Sequence, residues 1–185
     1  MKAVDLGDFD YDGSQLHHAF VYEQSKILGP SIGYFRGAAD VKEHLVDLED
    51  SLANDFIASD DMWHFIIEIP EAAITEMVVW QRLFITLCMD YFRDHVERHI
   101  SLRRLGDDIM VNNRKLSVSI ATLSQFSGLI HVGINNDVGD KCPVNAIGLN
   151  DFCPVHTGTF GGNIAESFVE EYNDVKDATY KVIGV

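Results

Sequence analysis

The sequence predicts an α+β fold, with a mixed, largely antiparallel sheet packed against helices. Three observations carry this expectation. Met62–Ile69 alternates strictly, as a strand does. The stretch from Glu71 to Ile100 repeats apolar residues at three- and four-residue steps, as a helix does. Asn112–Asn113 separates two short runs in the manner of a tight hairpin.

The elements follow in order. Asp12–Gly13 is a turn. Leu16–Leu28 places Leu16, Phe20 and Ile27 near one helical face, and Gly29–Pro30 stops it. Ser31–Phe35 is a short strand ending at Arg36–Gly37, and the acidic stretch Val41–Asp55 suits strand and helix equally. In Met62–Ile69, Trp63, Phe65, Ile67 and Ile69 share one face, while His64, Ile66 and Glu68 share the other. Pro70 ends that strand. In the helix that follows, Ile74, Met77, Val78, Phe84, Ile85, Cys88, Tyr91 and Phe92 cover an arc wide enough to make it the main packing element.

From Asp108 to Asn135 the pattern is a β-meander: Ile109–Val111, then Lys115–Ile120, then Leu129–Ile134 after a loop around Ser124–Gly128. Asn tolerates the positive φ that the first turn demands. Asn163, with Glu166 three residues on, has the pattern of a capping box for a last helix that turns Ile164, Phe168 and Tyr172 inward.

A length of 185 residues fits a single domain spanning 1–185. Apolar residues make up 46% and charged residues 23%, which excludes wholesale disorder. With 14 Lys+Arg against 29 Asp+Glu, the formal net charge is −15 and the pI about 4.7. Such a chain gains nothing from counterion release on a phosphate backbone and is repelled by anionic lipid, so neither nucleic acid nor membrane is expected as a partner. No apolar run reaches the roughly 20 residues of a membrane span, and Met1–Asp12 lacks the regions of a signal peptide. Three cysteines, Cys88, Cys142 and Cys153, form no disulfide framework, which suits a reducing cytoplasm.

Candidate chemistry clusters at the strand ends of the meander. Asp107–Asp108 precede the hairpin, Arg114–Lys115 follow it, and Asn135–Asn136 close the third strand. Brought to one side of a sheet, the carboxylates suit a hard cation and Lys115 neutralises phosphate, so a magnesium-bound phosphate is one reading. The bland alternative makes these turn residues and solvated cations.

Here a resemblance enters. Gly106-Asp-Asp-Ile-Met-Val-Asn-Asn-Arg-Lys-Leu-Ser-Val-Ser-Ile-Ala, followed by His131-Val-Gly-Ile-Asn135, resembles the core of the biotin and lipoate protein ligases. A closer resemblance, carried by Arg36-Gly37-Ala-Ala-Asp40-Val, Asp47-Leu-Glu49-Asp50, Asp60-Asp61-Met-x-His64-Phe and Arg114–Thr122, is to a family of short stand-alone prokaryotic proteins of unknown function within that superfamily. It implies a ligase-like fold and an enzyme acting on a small carboxylate or nucleotide-like ligand through an acyl-adenylate. The cofactor stays open, with ATP and magnesium as what the resemblance admits. Lys115 inherits the catalytic contact to carboxyl and phosphate. Asp107 and Asp108 stand where an Asn-Asp pair holds ATP and magnesium, Asn135 closes the Gly-x-Asn strand, and Arg36–Gly37 form the turn over the ligand. His64 would line the same pocket.

The departures are specific. Ala38-Ala39-Asp40 replaces a glycine-rich stretch, Val118 fills a position usually held by glycine, and Ser127-Gly128-Leu129-Ile130-His131 offers no thiol shortly before the histidine, which argues against a thioester-forming transferase. The alternative is a non-catalytic small-molecule-binding or assembly module that keeps the fold.

Other clusters are weaker. His64 and Glu68 share a strand face but lie about 13 Å apart, too far for a dyad. His95 and His99 have helical i, i+4 spacing, yet Val96 stands where a zinc-peptidase pattern requires Glu. Cys142, Cys153 and His156 match no zinc-knuckle spacing, so no metal site is assigned. Asp47, Glu49, Asp50, Asp60 and Asp61 concentrate acid locally, by default as a solvated face. The apolar tail Val182–Val185 offers an edge to another chain's sheet, which leaves a homo-oligomer open. Against this acidic background Arg36 and Arg114–Lys115 are cationic islands, fit to attract a small anionic ligand.

Overall fold

β3 (Ile57–Pro70) is the spine of the structure, a computed structural model that describes residues 1–53, 55–97, 99–153 and 158–184. On one side β3 pairs antiparallel with β2 (Ser31–Val41), which pairs parallel with β1 (Lys2–Asp8). On the other it pairs antiparallel with β8 (Ser127–Asp137), which pairs with β7 (Ser117–Leu123). The sheet order is therefore β1-β2-β3-β8-β7, and only its β1–β2 edge is parallel. A short helix, α1 (Phe20–Ser25), connects the parallel pair. This α+β architecture agrees with the class predicted from sequence.

α3 (Ile74–His95) and α4 (Phe160–Tyr180) pack on one face of the sheet. They cover Trp63, Phe65, Ile67 and Ile69, the four residues that alternation placed together. The opposite face is also buried: Ile66 packs with Phe20, Val21, Phe35 and Tyr11 beneath α1. β3 is thus covered on both faces, and this makes His64 and Glu68 interior residues.

Several boundaries differ from the sequence expectation, each for a physical reason. β2 runs through Arg36–Gly37 to Val41, because β3 extends to Ile57 and keeps pairing with it past a bulge between Gly37 and Ala39. α3 stops at His95, where Val96 turns extended, and the chain returns as β4 (Leu102–Leu105). His95 and His99 therefore do not share a helix face. Among the described residues of 41–55, Leu48–Ala53 alone forms a helix, α2.

α4 begins at Phe160, so Asn163 lies inside its first turn and donates its N–H to Thr159 O at 3.2 Å; no side chain caps this helix. Phe160, 1% exposed and stacked on Phe92, sets the start: burial of an aromatic outweighs a cap. Ile164, Phe168 and Tyr172 are buried as expected. Residues 181–184 form no strand.

The expected meander divides between two sheets. β5 (Asp108–Val111) and the two-residue β6 (Arg114–Lys115) pair with each other, and β5 pairs with β4, as a small separate sheet. Asn112 and Asn113 have φ of 49° and 62°, the tight-turn geometry expected of them. Leu116, fully buried, then carries the chain across: its N–H bonds Ile109 O at 2.8 Å, and its carbonyl accepts from Asn135 N–H at 2.9 Å. Beyond it, β7 joins the main sheet.

Candidate functional site

A cavity of about 340 Å³ opens where the small sheet meets β7 and β8 under the 41–58 stretch. Apolar side chains such as Val41, Phe56, Val118 and Ile120 form much of its wall. Lys115, Asp107, Asp108 and Asn135, four of the residues picked out by sequence, line it together. The crossing at Leu116 is what assembles them, because it lays the Asp107–Lys115 hairpin against the end of β8.

Lys115 Nζ lies 3.0 Å from Asp108 Oδ1. Burial raises the Asp108 carboxyl above its ordinary range despite the opposing pull of Lys115. Asp107 turns elsewhere. Its Oδ1 sits 3.4 Å from Arg82, and its Oδ2 accepts from Gln81 at 3.1 Å and Ser119 at 2.9 Å. Asn135, buried, donates its amide N–H to the carbonyls of Lys115 at 3.4 Å and Ile147 at 3.3 Å, which pins the hairpin to the strand.

Arg36, Gly37 and His64 stand outside this lining. Arg36 closes a two-pronged ion pair on Asp61, with Nε to Oδ1 at 2.9 Å, and Asn136 Nδ2 donates to the same carboxylate at 2.8 Å. Burial opposes the Asp61 charge, but these hydrogen bonds hold its carboxyl below the usual range. Gly37 is pressed against the Phe9 backbone: a Cβ there would lie 2.1 Å from Phe9 O. His64 is fully buried, with Nδ1 3.1 Å from His131 Nε2 and Nε2 3.3 Å from Gly37 O. Glu68 has its own partners, Ser127 Oγ at 2.7 Å, His18 Nδ1 at 2.8 Å and Ala19 N–H at 3.0 Å.

Sequence reasoning missed Tyr11 and His131, both nearly buried and both lining the cavity. His131 stands inside the quoted His-Val-Gly-Ile-Asn motif, a signal that was present. Tyr11 had none beyond the adjoining turn. Gln81 and Arg82, which hold Asp107, were hidden in the helical pattern.

The acidic run disperses: Asp47 and Glu49 lie by the cavity, Asp61 is paired with Arg36, and the Asp50 side chain lies outside the described residues. Cys153 Sγ points to His95 O at 3.8 Å and Cys142 Sγ to Val144 O at 3.5 Å. His156 and Val185 lie outside the described residues. Among those described, no three His, Cys, Asp or Glu residues group to hold a metal ion. No described helix is long and apolar enough to cross a membrane.

A family model described as "Domain of unknown function (DUF366)" matches residues 1–183. The chain belongs to the DUF366 family. Among curated proteins, an uncharacterised protein of Methanocaldococcus jannaschii, MJ0805, is 31% identical over 148 residues. That match covers 77% of this DUF366 chain and 66% of the relative, so the chain spans just under two thirds of its length. A solved protein of unknown function from Pyrococcus horikoshi superposes with TM-score 0.89 at 36% identity, over 99% of each chain.

More distant structures share the fold. Biotin protein ligase from Aquifex aeolicus, in complex with biotin and ATP, gives TM-score 0.58 at 10% identity over 95% of this chain and 72% of that one. Lipoate-protein ligase A bound with ATP gives 0.56 at 13% identity, over 94% and 86%. The fold is that of the biotin/lipoate ligases; identities this low show the fold alone.

Proposed function

We propose that this DUF366 protein binds a small, partly apolar carboxylate in the cavity floored by Lys115, with residues 1–185 acting as one ligase-like unit. The observation that carries the reading is the cavity itself. It is about 340 Å³, mixes apolar with polar side chains in its lining, and holds Lys115 as the one lysine or arginine among its described lining residues. A carboxylate entering there would take Lys115 in exchange for, or bridged with, Asp108. Asn135 supports this by tying Lys115 to the strand, and the fold supports it because the similar biotin protein ligase holds biotin.

The residues present do not fit a bare triphosphate. Asp47, Glu49, Asp55, Asp107 and Asp108 line the cavity against Lys115, a field that repels polyphosphate. Both carboxylates that the resemblance assigns to magnesium are closed on protein cations, Asp108 on Lys115 and Asp107 on Arg82. Arg36, assigned to clamp the ligand, is likewise closed on Asp61. The glycine-rich loop is replaced by pairing strand. Binding is therefore the leading reading. A second reading, an adenylate-forming ligase or acyltransferase, is favoured by the ATP held in the similar folds.

Calorimetric titration with straight-chain carboxylates of increasing length tests the first reading: hexanoate-sized acids should bind, and Lys115→Met should abolish the heat. No binding across the series sinks it. Protein-dependent release of pyrophosphate from ATP and magnesium, with the same acids, tests the second. Release that requires acid establishes adenylation, and its absence with acids that bind leaves a binding module.

A further inference from the structure

His64 on β3 and His131 on β8 form a hydrogen-bonded chain whose end reaches the cavity. Gly37 O can only accept, so His64 Nε2, 3.3 Å away, carries a proton. A neutral His64 then presents a lone pair at Nδ1. His131 Nε2, 3.1 Å from that atom, must donate to it. His131 Nδ1 is left as a lone pair.

Both rings are neutral at pH 7. Burial pushes His64 down to about 4 and His131 well below its ordinary value, against the pull of Asp61 and Asp10 on His64. Tyr11 stacks on the His131 ring, with centroids 3.9 Å apart and planes 14° from parallel.

Buried polar groups are as a rule paired. Among the described residues the fully enclosed side-chain atom without a partner is Asn136 Oδ1, which lies outside the cavity lining. His131 Nδ1, the Tyr11 hydroxyl and Asn135 Oδ1 also have no hydrogen-bond partner among the described residues, but they are not fully enclosed: they belong to side chains 3%, 4% and 6% exposed that all line the cavity. An acceptor held in one tautomer, beside an unengaged hydroxyl and a second acceptor, is complementary to hydrogen-bond donors.

We propose that His131 Nδ1 is a fixed acceptor for a neutral N–H or O–H group of the ligand, with the Tyr11 hydroxyl beside it. The ligand class narrows to small carboxylates that also carry an amide, urea or hydroxyl group. The carboxylate end of this assignment rests on the proposed function; the donor end does not. His131 is a binding residue, and His64 is a positioning residue that sets its tautomer through Gly37.

Imidazole nitrogen NMR on the ¹⁵N-labelled full chain tests this with two probes. Methylurea carries donors and no carboxylate; hexanoate carries a carboxylate and no donor. At pH 7, His131 should show a protonated Nε2 and a bare Nδ1, and millimolar methylurea should shift that Nδ1. Hexanoate should shift Lys115 Nζ instead. His64→Phe should mix the His131 tautomers and weaken the methylurea response about fivefold, the loss expected when one oriented hydrogen bond goes. A protonated Nδ1, or an Nδ1 that methylurea leaves unmoved because water alone fills the place, overturns the proposal. Failure of hexanoate to move Lys115 overturns the carboxylate reading and leaves the donor site standing. If His64→Phe does not fold, the wild-type spectra still decide.

Discussion

Lys115 Nζ and Asp108 Oδ1 meet at 3.0 Å across the β5–β6 hairpin, each side chain about one-third exposed. The pair sits at the cavity wall, so a ligand carboxylate competes with Asp108 for the ammonium. Removing the competitor should help the ligand. Asp108→Asn is expected to tighten hexanoate binding about fivefold, a gain typical of releasing a partly exposed pair. Lys115→Met should remove binding. Unchanged affinity in Asp108→Asn, measured by calorimetry, would mean that the carboxylate does not use Lys115.

The buried histidines make stability fall in acid. Each has a folded-state pKa below its unfolded value, so above about pH 6.5 both states are neutral and nothing is lost. As pH drops from 6.5 towards the His64 value of about 4, the unfolded chain takes up protons that the folded one refuses. For His64 alone the full loss is on the order of 3 kcal/mol, and His131 adds to it. Asp61, held below its ordinary range, acts in the same direction at lower pH. Urea midpoints should therefore fall between pH 7 and 4.5, and His64→Phe should flatten that slope. An equal slope in the variant would show that the titration lies elsewhere.

Gly37 and Gly133 separate backbone from side-chain crowding. A Cβ on Gly37 would meet Phe9 O at 2.1 Å, an atom fixed by the Phe9 N–H bond to Arg36 O at 3.0 Å. A Cβ on Gly133 would meet the flexible end of Met62 at 2.7 Å. Gly37→Ala should cost about 3 kcal/mol and Gly133→Ala about 1, read from chemical denaturation. The reverse order would contradict the packing of the Phe9–Asp10 segment over β2.

Glu68 fastens α1 to the sheet. Its buried carboxylate accepts from Ser127 Oγ at 2.7 Å and from Ala19 N–H at 3.0 Å, joining the ends of three elements. Glu68→Ala leaves those donors unmet and should cost about 2–3 kcal/mol; Glu68→Gln, with the shape kept and the charge gone, should fall between. A loss for Gln as large as for Ala would point to charge alone.

The sequence by itself determined the elements whose cause is local. Alternation marked the core face of β3, three- and four-residue steps marked α3, and the positive-φ tolerance of Asn112–Asn113 marked the β5–β6 turn. It also brought Lys115, Asp107, Asp108 and Asn135 into one hypothesis, and all four line one cavity. What it could not determine depends on contacts between distant segments. The insertion of β8 between β3 and β7 set His131 against His64, 67 residues away, and the pairing of β2 with β3 set Arg36 against Asp61. No periodicity encodes such partners, because side chains on neighbouring strands meet according to strand order and register. Tertiary structure alone therefore decided that Arg36 is closed in an ion pair while His131 faces the cavity.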